Sequence, residues 1–193
     1  MRIGIIGSLN SGKEIIFNYL KEQSIRTIMP SSQENEDQFI EYLLIHENVP
    51  IKAKVFSTKG IQQAIMNNDK IESLEILIFT LNMHDYNSLN LFTKEILDEL
   101  YQYLDFQGIS ILVGIQQEYS ARFIIDDASL INKAKELDML YCYKIQDTKD
   151  LTDLFSNTLK DFIFKFQYSN PDLFGQAIAY GAELMAQNKS LYK

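Results

Sequence analysis

The stretch from Gly7 to Lys13 reads G-S-L-N-S-G-K and combines two glycines with a lysine at a spacing suited to phosphate binding. Glycines let a backbone pass close to a phosphate group with its N–H groups pointing inward. A helix that begins at the end of such a loop adds about half a positive charge, and Lys13 would reach the outer phosphates. The residues predicted to form this phosphate-binding loop are Gly7, Ser8, Asn10, Ser11, Gly12, Lys13 and Glu14.

The residue after this lysine departs from the pattern, because Glu14 stands where a serine or threonine hydroxyl would bind Mg²⁺. A carboxylate can itself bind Mg²⁺, which prefers oxygen ligands, so Glu14 is a weak candidate ligand once nucleotide is bound. Without the metal, its charge repels a phosphate at about 4 Å by roughly 1 to 4 kcal/mol over effective dielectric constants of about 80 to 20. We expect an impaired magnesium site, and a loop that binds nothing is the alternative.

A strand has to lead into this loop and a helix has to leave it, and both patterns are present. Ile3 to Ile6 is a short apolar run typical of a buried strand, and apolar residues from Ile15 to Leu20 recur on one helical face. Further apolar runs predict strands at 39–45, 51–56, 76–81, 109–115 and 140–145. Amphipathic spacing predicts helices at 89–104, 130–137 and 151–166.

This alternation predicts an α/β fold with three layers, in which helices cover both faces of a mostly parallel six-stranded sheet with one antiparallel edge strand. Two stretches interrupt the regular elements, a polar loop at 24–37 and an irregular segment at 57–73.

An extra C-terminal helix is predicted at 171–188. Asn170 caps its start and Pro171 occupies its first position, which are the residue types preferred there. We predict a domain at 1–167 and a helical extension at 168–193. The extension either packs on its own domain or docks on a partner or a second copy, and the sequence leaves both open.

The composition narrows the expected partners and compartment. A net charge of −8 disfavours nucleic acids and anionic membrane surfaces, and the chain lacks the run of about 18 apolar residues that spans a membrane. One cysteine, Cys142, cannot form an internal disulfide, which is typical of a reducing cytoplasm. His46 and His84 are not spaced with other ligands as in a zinc site. We expect a cytoplasmic protein without a membrane anchor and leave its oligomeric state open.

Over about residues 1–167, the element order, the spacing and the glycine-rich loop resemble the Ras-like small GTPases. The resemblance implies GTP or GDP with Mg²⁺ as the ligand. The family's second switch begins with Asp-x-x-Gly; here Gly60 is kept, whereas Ser57 replaces the aspartate that helps to hold the metal. Ile61 occupies the place of the family's catalytic glutamine.

The motifs that read the guanine base also depart from the family pattern. Residues 115–118 read Ile-Gln-Gln-Glu in place of Asn-Lys-x-Asp, so Gln116 and Glu118 are the base contacts that the resemblance implies. Residues 144–146 read Lys-Ile-Gln where the family has Ser-Ala-Lys. The family's first-switch threonine, which senses the γ-phosphate, has no clear counterpart, and Thr27 is a weak candidate for it. One of five family motifs is therefore nearly intact and the other four are eroded.

The resemblance thus implies an interaction or regulatory module with weak or no GTP hydrolysis. Its protein contacts are expected at the switch-like loops, 24–37 and 57–73, or at the helix 171–188. A divergent switch that hydrolyses GTP slowly is the alternative, and a chain that binds no nucleotide at all is equally plausible. A small-molecule kinase is disfavoured for two reasons. Glu14 breaks its phosphate-binding loop, and the chain has only three arginines, scattered along the sequence, where such kinases need several to hold phosphates.

Overall fold

A seven-stranded sheet with helices on both faces carries the fold. The computed structural model of the chain describes residues 1–28, 39–66, 73–116 and 125–191. The strands are β1 (Arg2–Gly7), β2 (Arg26–Ile28), β3 (Ile40–His46), β4 (Val49–Thr58), β5 (Ile76–Asn82), β6 (Ile109–Ile115) and β7 (Tyr141–Ile145). The α-helices are α1 (Lys13–Gln23), α2 (Ile61–Met66), α3 (Lys94–Tyr103), α4 (Asp127–Glu136), α5 (Thr148–Ser169) and α6 (Pro171–Leu191).

The order of strands in the sheet is β2-β3-β4-β1-β5-β6-β7, and all neighbours are parallel except β2–β3 and β3–β4. The predicted α/β class and mostly parallel sheet are confirmed, but the predicted count of six strands was one too low. Residues 26–28, expected in a loop, pair with β3, so the antiparallel strand β3 is not at the edge. Three residues are too few to show an alternating pattern in the sequence, whereas their pairing satisfies backbone groups of β3.

Alternation along β1 shows how the sheet builds two cores. Ile3 and Ile5 are fully buried on the face covered by α1, α5 and α6. Ile6 is fully buried on the opposite face, which α2, α3 and α4 cover. Successive side chains of a strand point to opposite faces, so an uninterrupted apolar run is what a strand covered on both sides requires.

The helix predicted at 89–104 is two helices. A 3₁₀ helix, Tyr86–Leu91, precedes α3, and Thr93 is the N-cap that separates them. The Thr93 hydroxyl oxygen accepts a hydrogen bond from the Ile96 N–H at 3.4 Å. Threonine side chains compete for backbone donors in this way, which stops one helix and starts another although the apolar spacing continues.

The stretch at 57–73 was predicted to be irregular, but most of its described part is strand or helix. Ser57 and Thr58 complete β4, and α2 begins at Ile61. Residues 67–72 of this stretch, and residues 29–37 of the predicted polar loop, lie outside the described residues.

The C-terminal helix α6 packs on its own domain. Phe174, Ala177 and Ile178 contact the core of the face that α1 and α5 cover. The Phe166 and Phe174 rings meet edge to face with centroids 6.0 Å apart. At Gly181 the helix lies so close to the β3–β4 turn that an added Cβ would be 1.9 Å from the Asn48 carbonyl oxygen. No helix of the described ranges, α6 included, is long and apolar enough to cross a membrane.

His46 ends β3 beside a cavity of about 170 Å³ that reaches α1 and α5. Its Nε2 atom is buried without a hydrogen-bond partner among the described residues. Burial lowers the pKa of His46 below its ordinary value of 6.5; the charge of Glu47 raises it and that of Lys160 lowers it. The folded chain therefore favours neutral His46.

We expect the free energy of unfolding to fall as the pH drops through about 6.5, because the unfolded chain then binds a proton that folded His46 resists. The loss stops once the folded histidine is also protonated. His46→Gln should flatten this dependence between about pH 8 and 5.5 in urea titrations, while the control His84→Gln should keep it. An unchanged slope in His46→Gln would contradict this assignment.

Candidate functional site

The loop between β1 and α1 turns into the helix at Gly12. Gly12 is the N-cap of α1 with φ +82°, a conformation that glycine adopts freely and other residues rarely do. Because glycine has no side chain, the N-cap position provides no side-chain hydrogen bond to the first turn of α1. A Cβ at Gly12 would also be 2.6 Å from Ile115 Cγ2, so glycine is required here on two counts. The predicted order of strand, glycine-rich loop and helix is confirmed.

Lys13 is the first residue of α1, directly after this loop, and is only 5% exposed. Its Nζ donates hydrogen bonds to the carbonyl oxygens of Gly7 at 2.7 Å and Thr58 at 2.6 Å. Burial lowers the pKa of Lys13 below 10.5; the charge of Glu14 raises it and that of Lys59 lowers it. The amine thus ties the end of β1 to the end of β4, and one of its three donors is left for any other group.

The backbone of the loop is also bonded within the protein. The Ser11 N–H donates to the Ser8 carbonyl oxygen at 3.2 Å, and the Ser11 hydroxyl donates to the same oxygen at 2.9 Å. The Ser11 and Thr80 hydroxyl oxygens are 2.7 Å apart. Thr80 is fully buried and was missed by the sequence reasoning, although it is the polar residue in the apolar run of β5. The Ser11 N–H is therefore used by the loop itself.

Two residues expected near the metal do lie together. Glu14 and Ser57 line a cavity of about 160 Å³ with Leu9, Lys13, Lys59 and Gln63. Ligand pockets usually measure about 300 Å³ or more, so this cavity is small for a nucleotide. Within the described ranges, no cluster of three or more His, Cys, Asp and Glu residues could hold a metal ion.

Gly60 lies on the other side of the loop. It lines a cavity of about 410 Å³ with Gly7 and Ser8, between α2 and α3. The Thr58 hydroxyl donates to the Gly60 carbonyl oxygen at 3.0 Å, which holds the turn between β4 and α2. Asn10, also among the predicted phosphate contacts, is exposed at the tip of the loop.

Gln116, one of the residues expected at the guanine base, bonds to Gln146 of the segment 144–146. The Gln116 Oε1 atom accepts a hydrogen bond from Gln146 Nε2, and the Gln116 N–H donates to the Ile145 carbonyl oxygen at 2.9 Å. Lys144 turns away and pairs with Asp127 at 2.7 Å. Glu118, the other implied base contact, lies outside the described residues.

The described residues fit a magnesium nucleotide poorly. The Lys13 amine is held by two carbonyls, the Ser11 N–H is bonded inside the loop, and the Gln116 amide is paired with Gln146. What the loop does is join two strands and a helix through buried polar contacts. No model of a protein family matches this chain, and no curated protein is significantly similar to it in sequence.

Proposed function

We propose that this chain is a small-GTPase-like interaction module that hydrolyses GTP weakly or not at all and acts through protein contacts. The observation that carries the proposal is the burial of the Lys13 amine between the Gly7 and Thr58 carbonyl oxygens. A phosphate-binding lysine has to present its N–H donors to the ligand, whereas Lys13 uses two of its three donors for hydrogen bonds to backbone carbonyls.

Exposed apolar side chains near the loop support protein contacts there. Leu91 and Ile96 line the cavity between α2 and α3 and are 46% and 38% exposed. Leu9, at the tip of the loop, is 65% exposed. Apolar residues beside a concave surface are typical of protein-binding sites.

Affinity capture with structure-based variants tests the interaction. We expect Leu91→Asp to lose a protein that the wild type captures, because the charge lies where a partner would cover the cavity. Ile131→Asp is the matched control, since Ile131 is 47% exposed on α4 and does not line this cavity. Equal capture by both variants would count against this surface.

A slowly hydrolysing GTP switch is the second candidate function. It is favoured by the cavity in which Glu14, Ser57 and Lys59 lie beside Lys13, since oxygen ligands and cations suit a magnesium phosphate. Titration calorimetry with GTP and ATP, with and without Mg²⁺, separates the two candidates. The proposed module should show no binding at micromolar concentrations, whereas magnesium-dependent micromolar binding of GTP would overturn it.

Glu14→Ser tests what the carboxylate contributes. Removing a repulsion of roughly 1 to 4 kcal/mol should raise nucleotide affinity by about five- to a thousandfold if the rest of the site can bind. Glu22→Ser, an exposed change on the same helix, is the control. If only Glu14→Ser binds nucleotide, the Glu14 carboxylate is what prevents binding in the wild type. If no variant binds, the cause is the internal hydrogen bonds of Lys13 and Ser11.

A further inference from the structure

A cavity of about 570 Å³ lies at the N-terminal ends of strands β5 and β6, at the opposite ends of the strands from the Gly7–Lys13 loop. It is lined by Ile76 and Ile109, the first residues of β5 and β6, and by the last turns of α5. The loop lies at the other ends of these strands, where Gly7 pairs with Thr80 of β5. This cavity is therefore separate from the two cavities beside the loop, and no role proposed for the loop involves it.

The floor of the cavity is apolar. Leu74 and Ile76 are buried at 7% and 1% exposure, and the half-buried rings of Phe162 and Phe166 contribute the side formed by α5. Apolar walls with a few converging polar groups are the usual composition of a small-molecule site. Phenylalanine rings can also bind a cation over their faces.

The polar groups around this floor are mostly carboxylates. Among the described residues, Glu75, Asp105 and Asp161 line the cavity together with one cationic side chain, Lys165. The N-terminal amine is 3.6 Å from Glu75 Oε2 and offsets that charge. The described lining side chains and this amine together leave one negative charge in excess, which favours a positively charged ligand.

Two of these carboxylates are held in place by other groups. The Glu75 side chain accepts a hydrogen bond from the Arg2 N–H at 2.8 Å. Asp161 accepts a hydrogen bond from the Tyr141 hydroxyl, and this bond raises the pKa of Tyr141 to about 12. Fixed acceptors cost less conformational entropy when a ligand binds than mobile side chains do.

The wall between the carboxylates is rigid because β5 and β6 pair there. A Cβ at Gly108 would be 2.2 Å from the Glu75 carbonyl oxygen, which itself accepts a hydrogen bond from the Ile109 N–H at 2.9 Å. The cavity is consequently shaped by backbone contacts and not only by side chains that could collapse into it.

We propose that this cavity binds a small organic cation, a primary amine on an aromatic or aliphatic body, with the body on the Phe162 and Phe166 rings and the ammonium group among Asp105 and Asp161. This site is independent of the function proposed for the loop.

NMR titration of the full chain with 2-phenylethylamine tests the site, with 3-phenylpropionate as the anion of matched size. We expect saturable shifts at the Ile76 and Ile109 amides, and at least about tenfold tighter binding of the amine. Asp161→Asn should weaken amine binding by about two- to fivefold, because the asparagine oxygen still accepts from Tyr141 but the charge is lost. The Asp105→Asn/Asp161→Asn double variant should lose about tenfold.

Asp153→Asn is the matched control, since Asp153 is exposed on the same helix and does not line the cavity. It should bind the amine as the wild type does. Equal binding of the amine and the carboxylate, or no saturable shift at Ile76 and Ile109, would overturn the proposal. An equal loss in Asp153→Asn and Asp161→Asn would also overturn it, because the effect would then be general surface charge.

Discussion

Lys13→Ala is expected to lower the free energy of unfolding by about 2 to 5 kcal/mol, because it removes the two hydrogen bonds that a buried charged donor makes to the Gly7 and Thr58 carbonyl oxygens. The prediction separates a structural lysine from a phosphate-binding one. If the main role of Lys13 were to bind a ligand, its replacement in the nucleotide-free protein would leave the free energy of unfolding unchanged or raise it, because a buried charge would be removed.

Urea unfolding followed by circular dichroism measures this effect. Lys13→Met keeps most of the aliphatic stem, so a similar loss in Lys13→Met and Lys13→Ala would assign the effect to the hydrogen bonds and not to packing. Lys149→Ala is the control, because Lys149 is exposed and should change stability by less than about 0.5 kcal/mol. A Lys13→Met protein as stable as the wild type would refute the structural role.

Two glycines of α6 should respond in opposite directions to the same substitution. Gly181→Ala is expected to destabilise the protein by about 1 to 3 kcal/mol, because the new Cβ would lie 1.9 Å from the Asn48 carbonyl oxygen and force α6 away from the β3–β4 turn. Gly175→Ala should stabilise it by up to about 1 kcal/mol, since the new Cβ would have no described atom within 4 Å apart from the adjoining backbone of its own helix, and alanine favours a helix.

Thermal unfolding of both variants measures the difference, and limited proteolysis shows whether α6 is released in Gly181→Ala. The pair controls for helix propensity, because each variant makes the same change inside the same helix. If both variants were stabilised equally, α6 would not be docked on the turn. The C-terminal helix would then be available to a partner, as the alternative prediction for 171–188 supposes.

The expected contacts of Gln116 show the limit of prediction from sequence. A family motif assigns a residue to a ligand by its position, whereas Gln116 finds its partner in Gln146, 30 residues further along the chain. The short strand β2 and the break before Thr93 were missed for a related reason. Three residues carry no period, and a capping hydrogen bond interrupts a helix without changing its apolar spacing.

The sequence by itself determined the features that depend on local chemistry. Continuous apolar runs specify buried strands such as β5 and β6, and helical spacing specifies α5. Gly12 permits the backbone conformation with φ +82° that joins strand to helix. These follow from the periods and steric limits of neighbouring residues, which the order of residues states directly.

Only the tertiary structure decided where Lys13 points. Its second acceptor is the Thr58 carbonyl oxygen, 45 residues away in sequence, and Ile115 from β6 packs on Gly12 beside it. Both neighbours arrive because β4 and β6 lie on either side of β1 and β5 in the sheet. A buried amine bonds to the oxygens that the strands bring within reach, because burying a charged amine without hydrogen-bond partners costs a large amount of free energy.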